Sequence, residues 1–87
     1  RRHLGISLHN LGNGLLEWER PAEALAAEQE AVAIFRELAE VSPDDRPLLA
    51  RFLADLSAIY TTLGRTAEAE AAREEGERIE RDDPGDS

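Results

Sequence analysis

The chain of 87 residues contains no cysteine, no lysine and no methionine. Without cysteine there are no disulfides and no thiolate metal ligands, and the redox compartment leaves no mark. No apolar run approaches the roughly 18 residues that cross a bilayer, and no signal peptide is visible. All ten basic residues are arginine, against 19 acidic ones, for a net charge of -9. The arginines are scattered, and only Arg1 and Arg2 are adjacent. Nucleic-acid binding needs a basic stripe that displaces counterions from phosphates. Its absence argues against DNA or RNA as a partner. Aromatic residues make up only 5% of the chain.

What is present is alanine, glutamate, arginine and leucine, as GC-rich bacterial codons supply. At 41% hydrophobic and 33% charged, the composition suits a small folded, cytoplasmic domain. Because no methionine starts it, the chain reads as a C-terminal fragment of a larger bacterial protein.

A shift of about 45 residues brings the two halves into register. Leu4, Leu8 and Leu11 fall on Leu49, Leu53 and Leu56. The segment Arg20, Ala22, Glu23, Ala24 falls on Arg65, Ala67, Glu68, Ala69. Such self-similarity marks a repeat architecture.

Each half divides into two helices. Leu4, Leu8, Leu11, Leu15 and Trp18 step by threes and fours, which predicts an amphipathic helix over about 3–18. Pro21 suits the first position of a second helix, over about 21–40. Ser42 to Pro47, with two prolines and two aspartates, separates the halves. Asp44 or Asp45 is a candidate N-cap for a third helix over about 47–63, and Gly64 its left-handed C-terminal cap. The fourth helix covers about 66–81. Residues 1–45 thus form one repeat and 46–82 a second, with 83–87 expected as a disordered tail.

Local signals compete at Gly12-Asn13-Gly14. Asn-Gly favours hairpin turns, and a glycine-rich loop can cradle phosphate. The leucines continue through it at helical spacing, and no strand precedes it, so both readings fail. Gly12 is read as a close-packing position, since Ser57, its counterpart, is also small. Gly14 has no such reason.

Ser7, His9 and Asp55 hold the residue types of a hydrolytic triad, but no nucleophile elbow accompanies them. His3 and His9 stand six apart, not at the i, i+4 spacing of helical metal ligands. No catalytic, cofactor-binding or metal-binding residues are therefore assigned. The acidic cluster Glu68, Glu70, Glu74, Glu75, Glu77 and Glu80, interrupted by Arg73 and Arg78, is read as a solvated helix face.

The string from Leu8 to Leu25, LHNLGNGLLEWERPAEAL, resembles the tetratricopeptide repeat family in its longer-period, kinesin-light-chain-like bacterial variant. Leu8, Leu11, Gly12 and Leu15, then Ala24 and Ala31, match the family's pattern in the first half. Leu53, Leu56, Ser57, Tyr60, Gly64 and Ala69 match it in the second. Departures are Glu19 where glycine is usual, Glu28 and Arg73 where an aromatic is usual, and Gly76 where alanine is usual.

The resemblance implies an all-α fold: two antiparallel helix-turn-helix repeats, the start of a right-handed α-solenoid. It implies a non-catalytic module that binds a peptide or partner domain in a concave groove, without cofactor or membrane. By resemblance the groove positions are His9, Asn10, Asn13 and Glu17, then Arg51, Asp55, Ala58 and Thr62. Asparagine amides suit a peptide backbone because each offers donor and acceptor. The polar fourth helix suits a capping end. The first helix is uncapped, and Leu4 and Ile6 are expected to meet a preceding repeat or, in self-association, a second copy. Trp18 is expected to pack at the end of the first hairpin. The alternative is an intramolecular regulatory array of a signalling ATPase, transcription factor or protease.

Overall fold

A computed structural model describes residues 1–82; the expected tail over 83–87 lies outside the described residues. Four α-helices run α1 (Arg2–Glu17), α2 (Pro21–Val41), α3 (Arg46–Thr62) and α4 (Thr66–Arg81). A single 3-10 turn, Pro43–Asp45, links the two hairpins. The fold is all-α, with no strand among the described residues. It measures 38 × 27 × 17 Å, and α2 packs against both α1 and α3.

Backbone chemistry explains the breaks. Pro21 opens α2, where its missing N–H costs nothing. Both tight hairpins close with the same bond pair. In the second, Gly64 N–H donates to Thr61 O at 3.0 Å and Arg65 N–H to Tyr60 O at 2.8 Å. In the first, Glu19 N–H donates to Leu16 O at 3.0 Å and Arg20 N–H to Leu15 O at 2.8 Å. This is the Schellman arrangement, which needs a left-handed residue after the cap. Gly64 supplies it at φ 76°, whereas Glu19 adopts φ 58° against the preference of any residue with a Cβ. Asp45 stands at the N-cap position of α3 but makes no capping bond. Its buried carboxylate instead accepts from Arg2 Nε at 3.0 Å.

The core lies along α2 and α3. Leu25, Val32, Ile34 and Phe35 meet Leu49, Phe52, Leu53, Leu56 and Ile59, all buried. Phe35 and Phe52 pack edge to face, with ring centroids 4.9 Å apart. Small residues set the close approaches. Ser57 Oγ donates to Ala69 O at 2.8 Å. At the matching place in the first hairpin, a Cβ on Gly12 would stand 3.4 Å from Ala24 O. Gly12 is therefore a close-packing position.

The expectations for Trp18, Ile6 and the acidic face of α4 need correction, and α1 uses its leucines in two ways. The leucine stripe of α1 divides: Leu8 and Leu15 are half-buried and pack on the core, Leu4 and Leu11 are each more than half exposed, and Gly5, His9 and Gly12 are buried. Gly5 and Gly12 let α1 lie close to α2 beside the buried His9. Leu4, Leu11 and Trp18 point outward. Trp18 does not pack at the hairpin end; it is 76% exposed. Ile6 is half-buried and packs on the core, so of the residues expected to meet a neighbour only Leu4 is free to do so. The acidic face of α4 is not wholly solvated either. Glu75 accepts two bonds from Arg36 of α2, at 2.6 and 2.9 Å, which raises the Arg36 pKa.

Candidate functional site

The concave side is formed where α1 and α3 lie side by side against α2. A concavity of about 270 Å³ opens there, lined by Ile6, His9, Asn10, Asn13, Leu48, Arg51 and Phe52. Helical spacing explains the α1 contribution. Residues 6, 9, 10 and 13 step by three, one and three, which keeps them on one face. Leu48, Arg51 and Phe52 do the same on α3. The floor is apolar, and amides and a guanidinium stand around it.

Four of the eight groove positions named from the sequence thus meet: His9, Asn10, Asn13 and Arg51. Asp55 joins them through His9, its carboxylate 3.4 Å from His9 Nε2. Ala58, which is exposed, does not line this space, and neither do Glu17 and Thr62. Both are exposed, and Thr62 Oγ1 donates to Ala58 O, one turn back in its own helix, at 3.1 Å.

His9 is not a free groove residue. Its ring is buried and stacks on Phe52, with centroids 4.1 Å apart and planes 13° from parallel. Its Nδ1 faces both carboxylate oxygens of Glu28, at 2.9 and 3.0 Å. Only the Nε2 edge turns toward Asp55 and the Asn13 amide, the latter at 3.3 Å. Glu28 is 1% exposed. Burial pushes its pKa above the usual carboxylate value; the bond to His9 and its charge oppose this, and Asp55 adds to it. A fully buried carboxylate is tolerated only with such a partner.

Glu28 is the residue of this cluster that the sequence does not single out as a candidate. It stood out only as a charged residue where an aromatic was expected. The signal was a second anomaly, the polar His9 on a leucine-rich helix. The fold brings His9, Glu28 and Asp55 to within 4.8 Å of one another, one from each of three helices. Spacing along one helix could not reveal this. Of the residues of the weighed triad, Asp55 reaches His9, while Ser7 is exposed and bonds to neither.

No helix among the described residues is long and apolar enough to cross a membrane. No curated protein and no solved structure matches the chain. A family model described as tetratricopeptide repeat matches residues 4–46, just under half of the chain. That span takes in α1, its left-handed closure at Glu19, all of α2 and the inter-hairpin turn. The first helical hairpin of this chain is thus similar to a tetratricopeptide repeat.

Proposed function

We propose that the chain is a non-catalytic interaction module that holds an extended peptide of a partner protein against the concave face of α1 and α3. The observation that carries this is the meeting of Asn10, Asn13 and Arg51 around the apolar floor of Ile6, Leu48 and Phe52. An extended peptide presents a backbone donor and acceptor at each residue. Paired amides one helical turn apart answer both, and the floor takes an apolar side chain. Repeats of this family generally mediate protein interactions, which agrees with the reading.

The test is capture of partners on the immobilised chain, followed by affinity measurement with the partner identified. Asn10→Ala/Asn13→Ala removes no buried side chain, because both residues are exposed. Its binding is expected to weaken at least about tenfold, as losing two hydrogen bonds of about 1 kcal/mol each implies. Unchanged affinity in a variant with unchanged helicity overturns the groove assignment.

A second reading rests on a separate observation. Leu4, Leu11 and Trp18 form an exposed apolar stripe on the outer side of α1. It supports association with a second copy of the chain through that helix.

A further inference from the structure

We infer that His9 Nε2 and the Asp55 carboxylate, completed by the Asn13 amide oxygen, bind one divalent ion of the zinc class at the edge of the concave face. The geometry begins behind the ring. Both Glu28 oxygens lie within 3.0 Å of His9 Nδ1, so Nδ1 carries the proton and donates it to the carboxylate. Nε2 is left with its lone pair turned toward Asp55. Two acceptors then face each other across 3.4 Å. That distance is long for a hydrogen bond. It matches the edge of a tetrahedral zinc site, where ligands bound at about 2.0–2.2 Å lie roughly 3.3–3.5 Å apart.

The rest of the surroundings fit. Glu28 orients the ligating imidazole from its far nitrogen, the carboxylate–histidine–metal arrangement that fixes tautomer and ring plane. Stacking on Phe52 holds the ring still. The Asn13 amide lies 3.3 Å from Nε2, and turning it end for end presents its oxygen in place of its nitrogen. Asp55 is 40% exposed in its side chain, and the concavity beside His9 gives entry from solvent. Imidazole with one carboxylate and one amide oxygen favours zinc over magnesium or calcium, which prefer all-oxygen sites. Arg51 lines the same concavity, and its charge opposes the ion. Three protein donors beside an arginine make an exchangeable site with an open position, not a structural one. A bound ion ties α1 to α3, with α2 behind, and stiffens the junction of the two hairpins.

The experiment is titration of the metal-free chain with zinc chloride, read by calorimetry, thermal melting and histidine NMR signals. One ion per chain is expected, and the His9 ring signals move while those of His3 stay. With zinc at roughly ten times its Kd, the melting midpoint rises by about 5–10 °C. Asp55→Asn keeps the side-chain shape and removes the ligating charge. It is expected to weaken zinc at least tenfold while leaving the metal-free melting point in place. His3→Gln is expected to bind like the parent. The inference is overturned if zinc leaves the melting point unchanged, if Asp55→Asn binds as tightly as the parent, or if only His3 responds.

Discussion

Two glycines of α1 carry opposite consequences, and only the packing around each shows which. A Cβ on Gly5 would stand 2.6 and 2.8 Å from ring atoms of Phe35, itself wholly buried. Nothing lies within 4 Å of a Cβ on Gly14. Gly5→Ala must therefore displace the ring at the centre of the core, a cost of about 1–3 kcal/mol. Gly14→Ala fills open space and removes the helix penalty of glycine, a gain of about 1 kcal/mol. Paired denaturant melts are expected to move the midpoint in opposite directions. Gly14→Ala destabilising the chain would mean that the outer side of α1 is not open. The sequence already marked Gly14 as unexplained, because its counterpart Ile59 belongs to an ordinary helix. It was silent on Gly5, because a residue with no side chain leaves no periodicity to read.

At the scale of the helix, α1 combines several weaknesses. It has three glycines, no side-chain cap, no acidic residue in its first turn and no basic residue in its last. It also ends on Glu19 in the left-handed region, where the second hairpin has Gly64. Glu19→Gly relieves a strain of roughly 1–2 kcal/mol and gives back part of it as unfolded-chain entropy. The net gain is expected to be about 0.5–1 kcal/mol, or several degrees in the melting midpoint. Hydrogen exchange is expected to slow first in α1. A fall in the midpoint would show that the Glu19 side chain contributes more than its backbone costs. The hairpins were legible for a related reason: prolines and the left-handed residues act through the local backbone, which a sequence displays. The inward face of α1 was not legible. Leu4, Leu11 and Trp18 made the stronger pattern, but a pattern cannot say which neighbour covers it. The Glu28–His9 pair was hidden likewise, since residues 19 apart on different helices meet only after the hairpin closes.

For the molecule as a whole, charge decides where two copies can meet. Each carries a net charge of -9, so most faces repel. The exception is α1, which has no aspartate, glutamate, arginine or lysine between His3 and Leu16. Of its exposed stripe of Leu4, Leu11 and Trp18, the last two border a largely apolar hollow of about 420 Å³ at Gly14. Helix α4 of another copy is a poor occupant. Its Glu70, Glu77 and Glu80, all exposed, stand where α2 has the core residues Leu25, Val32 and Phe35. Head-to-tail stacking is thereby disfavoured, and face-to-face pairing of two α1 helices remains. Salt tests this. At 0.01 M the screening length of about 30 Å is comparable to the dimensions of the molecule, and at 0.15 M it falls to about 8 Å. Repulsion between the acidic bodies is then screened while the apolar contact is not. Sedimentation is expected to show a reversible dimer that tightens as salt rises. Leu11→Glu, at a half-exposed position, is expected to stay folded and monomeric. A parent chain that stays monomeric at high salt and high concentration would leave the stripe without a second copy as its partner. A dimer that survives Leu11→Glu would place the contact elsewhere.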